Sequence, residues 1–197
     1  MKPMMKPKHI VMSLFVAVSI AIMAMVPEKS SSGAPASHTG APGEANCATG
    51  GCHDDNSVNA GNAVLSIDLG SITNYTPGQT YPVKVRITDG SVGRFGFEIL
   101  ALVNGDTSNA GKLSLADPDR TQLTKNQYKM FDRQYVTYNF NGTDAISPGT
   151  GEWTVNWKAP STNVGPVTFY ASGVSADDDE SDKGDHVYTK SLVIQPL

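Results

Sequence analysis

Strict alternation of apolar and polar residues constrains this chain more than any other feature. Tyr81, Val83, Val85 and Ile87 alternate with Pro82, Lys84, Arg86 and Thr88. Successive side chains of an extended strand point to opposite faces, so this run predicts a half-buried strand. Pro82 cannot donate to a ladder and suits an edge strand or a strand start. In the next run Phe95, Phe97, Ile99, Ala101 and Val103 share one face, with Gly96 and Glu98 opposite. Trp153, Val155 and Trp157 repeat the pattern, as do Val167, Phe169 and Ala171. Further strands are expected at 64–69, 134–140 and 187–194. Turn signals such as Thr76-Pro77-Gly78, Asn104-Gly105-Asp106 and Ser147-Pro148-Gly149 separate the runs. Seven or eight short strands at this spacing predict an all-β, immunoglobulin-like antiparallel sandwich over 60–197.

The N-terminal third has a different character. Lys2, Lys6, Lys8 and His9 precede an uncharged apolar run, 10–26. That reads as a signal peptide, with an N-terminal membrane anchor as the alternative. Residues 27–46, rich in Ser, Gly, Pro and Ala, read as a linker or an irregular wrap. Export to the periplasm or cell surface follows from this reading. Three of the 15 basic residues lie in the first 26, so the exported chain carries 12 basic against 19 acidic side chains, a net of −7. Such a surface argues against nucleic acid and suits a cationic redox partner protein in the envelope. A membrane partner is expected only through a retained N-terminus. No P-loop, dinucleotide fingerprint, hydrolase elbow or H-E-x-x-H motif occurs, so an electron carrier or binding module is expected over an enzyme.

The two cysteines of the chain stand in Cys47-Ala48-Thr49-Gly50-Gly51-Cys52-His53. Paired thiols followed at once by a histidine match covalent haem attachment: the thiols add to the vinyl groups and the histidine ligates iron. The common spacing places two residues between the cysteines, and here there are four. Gly50 and Gly51 allow the longer loop to fold out through positive φ. A Cys47–Cys52 disulfide is the main alternative, although it closes a short loop, stabilises little and leaves His53 without a role. Zinc binding or a redox thiol pair fits less well.

These residues, with Thr39-Gly40-Ala41-Pro42-Gly43-Glu44 before them and Arg94-Phe95-Gly96-Phe97-Glu98, Trp157-Lys158-Ala159-Pro160 and Gly184-Asp185-His186-Val187-Tyr188 after, carry a resemblance. The chain resembles a family of secreted bacterial proteins that pair a c-type haem segment with a reeler-like β-sandwich. The resemblance spans about residues 38–195. It implies a reeler-like sandwich behind a haem-attachment segment, 47–59, and by itself implies no activity. One departure stands out: Val136-Thr137-Tyr138 occupies a position where Val-Thr-His is expected in relatives.

The expected protein is therefore an exported monohaem c-type cytochrome-like electron-transfer module. Cys47 and Cys52 would form the thioethers to haem c, and His53 would be the proximal iron ligand. His186, His38 and Met130 are candidates for the distal position, with His186 favoured. A non-catalytic adhesion or binding sandwich with a Cys47–Cys52 disulfide is the alternative. Asp177, Asp178, Asp179, Glu180, Asp182 and Asp185 crowd one loop. Asp177, Asp179 and Asp182 could offer oxygens to calcium, although the spacing is not that of an EF-hand and a solvated loop is the simpler reading. Asp54 and Asp55 could orient His53 or face water.

Overall fold

Among the described residues, ten strands account for nearly all the regular structure: β1 (Val64–Asp68), β2 (Asn74–Tyr75), β3 (Thr80–Thr88), β4 (Arg94–Val103), β5 (Lys112–Leu115), β6 (Thr121–Lys125), β7 (Gln134–Tyr138), β8 (Thr150–Lys158), β9 (Val167–Ala176) and β10 (His186–Pro196). The computed structural model describes residues 32–49, 51–106, 108–125, 132–179 and 181–197, all within one compact unit, Ser31–Leu197. The apolar run 10–26 and Met130 lie outside the described residues. Among the described residues no helix is long and apolar enough to cross a membrane.

The strands form two sheets. One has the order β1-β3-β8-β5 and the other β2-β10-β9-β4-β7-β6. Neighbours run antiparallel, except that the two-residue β2 lies parallel to β10. Four strands facing a sheet centred on β4, β9 and β10, widened by the β6–β7 hairpin, is the immunoglobulin-like division of an all-β sandwich.

The alternating runs supply the interface between the sheets. Val83, Val85 and Ile87 of β3 and Trp153, Val155 and Trp157 of β8 bury against Phe97, Ile99, Val167 and Phe169 of β4 and β9. Phe97 stacks on Trp153 with ring centroids 4.4 Å apart, and Trp157 meets Phe169 edge-on at 4.9 Å. Both indole N–H groups donate to backbone carbonyls, Trp153 to Gly142 at 2.8 Å and Trp157 to Ala110 at 2.7 Å. The indoles are buried at no cost in unmet polarity.

One expectation changes, and one feature is added. Pro82 does not mark an edge, because β3 is flanked by both β1 and β8. The β1 ladder stops at Lys84, so no N–H is required of Pro82 on that side. Also, β4 is buried on both faces along almost its whole length. Its second face carries Gly96, Glu98, Leu100 and Leu102, and the N-terminal segment covers it.

Candidate functional site

The second face of the six-stranded sheet offers Leu100, Leu102 and Tyr135, which cannot stay in water without cost. Ala41 packs among them, with Ala36 and Tyr170 at the margin. The segment is held there by a buried polar latch. Arg133 Nη1 donates to Glu44 Oε1 at 2.6 Å and to the Pro42 carbonyl at 3.1 Å. The Tyr135 hydroxyl donates to the same Glu44 oxygen at 2.6 Å, and the Thr39 hydroxyl donates to Glu44 Oε2 at 2.5 Å. Burial first, then the carboxylate, push the Tyr135 phenol well above its usual range. The stretch Thr39 to Glu44 thus has a physical role: it secures the cysteine-bearing segment to the sheet.

Glu98 lies beneath this strap, fully buried. Its Oε2 accepts the His38 backbone N–H at 2.7 Å, and its Oε1 has no hydrogen-bond partner among the described residues. Burial pushes its carboxyl well above the usual carboxylate range; the His38 N–H opposes this, and the Glu44 charge adds to it. The neutral acid is the favoured form in such surroundings.

The Cys47–His53 loop follows the latch. The Thr49 N–H donates to Asn46 O at 3.0 Å, and the His53 N–H donates to Cys47 O at 3.2 Å. Gly51 takes φ +80°, the left-handed conformation expected of it. Cys47 is 8% exposed and packs with Val174 and Val187. Its N–H donates to Ser172 Oγ at 3.4 Å, and its Sγ lies 3.9 Å from His38 O. Burial pushes the Cys47 thiol up to about 12. Cys52 is partly exposed, and both are free thiols.

His53 is oriented by a residue 132 positions away. Its Nδ1 lies 2.6 Å from Asp185 Oδ2, and Asp185 is 2% exposed. Asp185 also accepts the Asp177 N–H at Oδ1, 3.2 Å, and its carbonyl accepts Asn56 Nδ2 at 2.9 Å. A carboxylate only accepts, so Nδ1 is the donor, and in the neutral ring Nε2 keeps its lone pair. Asp54 and Asp55 serve the adjoining contacts: Lys183 Nζ donates to Asp54 at 3.2 Å, and the Gly184 N–H donates to Asp55 at 2.8 Å.

Tyr138, at the position of departure from the resembled family, reaches the same region. Its ring lies over Gly96, where an added Cβ would come within 2.7 Å of Cε1. Gly96 pairs in register with Val174, which packs against Cys47. Burial pushes the Tyr138 phenol up to about 12, and the Cys47 and Cys52 thiols add to the shift.

The remaining candidates divide. His38 stands beside Cys47, its Nδ1 2.9 Å from Pro35 O and 3.1 Å from Ala36 O. His186 does not join them. Val187 points to the Cys47 side of β10, so the alternation sends His186 to the other face with Tyr188, where both crowd Gly61. In the acidic loop, Asp177 Oδ1 accepts the Asp179 N–H and Asp179 Oδ1 accepts the Ser181 N–H. Among the described residues no group of three or more His, Cys, Asp or Glu side chains is placed to hold an ion.

Cys47 has an apolar seat, and His53 is held at one ring nitrogen by a buried carboxylate. Asp185 and Glu98 were not singled out by sequence reasoning as neighbours of this site. Asp185 looked like one acidic residue in a charged loop. The signal for Glu98 was present, as a lone carboxylate in a strand apolar on both faces, Phe-Glu-Ile-Leu-Ala-Leu-Val.

No family model and no curated protein matches this sequence. Among solved structures, the chain is similar to a cohesin module from a Clostridium perfringens ATCC13124 family 33 glycoside hydrolase, with TM-score 0.45 and 12% identity over 68% of this chain and 95% of that one. It is also similar to an uncharacterized Nocardia farcinica protein with an immunoglobulin-like fold, with TM-score 0.37 and 14% identity over 66% and 97%. A third is BslA, a bacterial hydrophobin, with TM-score 0.36 and 13% identity over 70% and 96%.

Proposed function

We propose that this chain is an exported monohaem c-type electron-transfer module of the cell envelope, built on a reeler-like sandwich. The observation that carries this reading is the His53–Asp185 contact. A buried carboxylate 132 residues away holds Nδ1 of the histidine that follows the cysteine pair, and leaves Nε2 available. Cys47 and Cys52 would hold haem c as thioethers, and His53 Nε2 would ligate its iron. Bound there, haem c supplies a one-electron Fe(III)/Fe(II) couple. The protein contributes burial at Cys47, orientation through Asp185, and a short route to the surface, since Cys52 and His53 are partly exposed. A net charge of −7 on the exported chain favours a cationic redox partner protein in the periplasm or at the cell surface.

The test is expression with a c-type maturation system, followed by intact mass and the pyridine haemochrome spectrum. A mass increase of one haem and the haemochrome bands are expected, and both are lost together in a Cys47→Ser/Cys52→Ser chain. A colourless protein lacking two hydrogens would overturn this reading in favour of a disulfide-bearing binding module.

A further inference from the structure

We propose that Glu98 is a proton-operated lock for the N-terminal strap, residues 34–47: the strap stays seated while this carboxyl holds its proton and lifts when the proton leaves. The lock goes beyond the haem reading and concerns the chain with both thiols free. Its geometry is a row of three buried polar side chains on neighbouring strands. Ser172 of β9 and Thr137 of β7 flank Glu98 of β4 in register, and none of the three is more than 1% exposed. Each accepts one backbone N–H of the strap. Ser172 Oγ takes that of Cys47 at 3.4 Å, Glu98 Oε2 that of His38 at 2.7 Å, and Thr137 Oγ1 that of Ala34 at 3.0 Å. Hydroxyls stay neutral, so Glu98 alone in this row can change its charge. Its Oε1 has no partner among the described residues. The protonated acid leaves one neutral polar atom unmet there. The carboxylate would leave a charge in a dry site with a single N–H to hold it, which is far more costly.

The groups around Glu98 oppose its ionisation or are engaged elsewhere. On the strap, Glu44 adds a second negative charge, burial keeps the Cys47 thiol protonated, and His38 Nδ1 faces the Pro35 and Ala36 carbonyls. On β7, burial keeps Tyr135 and Tyr138 as neutral phenols, and Arg133 is held by Glu44 and the Pro42 carbonyl. A carboxyl raised in the seated form stabilises that form fully below the usual carboxylate range. The contribution is lost as the pH rises through the raised value. Cys47 belongs to the strap, so release lifts its thiol from the seat made by Val174 and Val187.

The test is alkylation of Cys47 by iodoacetamide in the reduced, haem-free full chain, read by peptide mass mapping from about pH 5 to about pH 9. Parent and Glu98→Gln are compared, because glutamine keeps the shape of the neutral acid. Thiolate formation alone raises the rate by up to about tenfold per pH unit, and this is the slope expected of Glu98→Gln. In the parent, loss of a second proton at Glu98 should steepen the rise to as much as about a hundredfold per unit while that group titrates. Infrared spectra give a second readout. The parent should show the C=O band of a protonated carboxyl that Glu98→Gln lacks, and the band should fade over the same pH interval as the rate steepens. Equal slopes in the two proteins would overturn the lock, as would a parent without that band at about pH 5. Neither outcome touches the haem reading, which the maturation experiment tests separately.

Discussion

Arg133 and Glu44 meet at 2.6 Å with 1% of either side chain exposed, and this ion pair is the charged part of the latch that joins the strap to β7. Removing Glu44 takes a buried carboxylate from Arg133, Tyr135 and Thr39 at once. Glu44→Ala is expected to cost about 3–5 kcal/mol, whereas Glu44→Leu with Arg133→Met should recover most of that loss. Urea unfolding midpoints of the single and double variants decide the matter. Equal losses in both would show that the strap depends on something other than the ion pair.

On the proposed haem reading, the carboxylate behind His53 should set the potential of the site. Asp185→Asn keeps the size of the side chain but removes the negative charge that makes the imidazole a stronger donor. The haem-loaded variant is expected to have a higher midpoint potential than the parent at the same pH. Redox titration followed at the haem absorbance measures this, and an unchanged or lowered potential counts against an electronic role for Asp185.

Gly96 leaves room for the Tyr138 ring. A methyl group there would meet Cε1 at 2.7 Å, far inside contact distance. Gly96→Ala is expected to destabilise by about 1–3 kcal/mol through overpacking. The loss should shrink when Tyr138 is also replaced by Ala, so a double-mutant cycle gives a clear coupling. Strict additivity would place the glycine requirement elsewhere.

On the opposite sheet, Glu152 of β8 accepts from Arg86 Nε at 2.6 Å and from Lys84 Nζ at 3.0 Å, both on β3. Partial burial alone would raise its carboxyl, but the two cationic partners outweigh it and hold the group below its ordinary 4.5. A carboxyl lowered in the folded state adds stability that is present above pH 4.5 and is lost as the pH falls through the lowered value. Because the cluster is near the surface, Glu152→Gln should cost at most about 1 kcal/mol at pH 7, less in high salt, and nothing at low pH. Chemical denaturation of both proteins across this range checks the sign.

The strands that alternate cleanly are legible in the sequence. β3, β8, one face of β4 and the first half of β9 carry apolar residues at every second position, and period two is the geometry of a strand. β5, Lys-Leu-Ser-Leu, and β6, Thr-Gln-Leu-Thr-Lys, are short and mostly polar, so no pattern accumulates in them. They form because β8 and β7 offer open ladders. The cover over the second face of β4 is not legible from alternation alone: Gly96 and Glu98 break its apolar pattern, and only Leu100 and Leu102 further along signal burial. At the candidate site the Cys47–Cys52–His53 constellation stood out, because its chemistry is local in sequence. Asp185 could not stand out: its meaning depends on a contact across 132 residues, and only the folded sandwich makes it.

That separation has a consequence for the order of events in the cell. Every strand the strap docks on, from β4 to β10, lies downstream of it. A chain that emerges N-terminus first therefore presents Cys47 and Cys52 long before Ser172, Val174 or Asp185 exist to receive them. Closing a loop of more than a hundred residues is also among the later events of folding. The thiol that ends up nearly sealed in the folded protein thus passes through an interval of open access. Any enzyme that modifies it has to act in that interval, and the finished sandwich then shuts the door behind it.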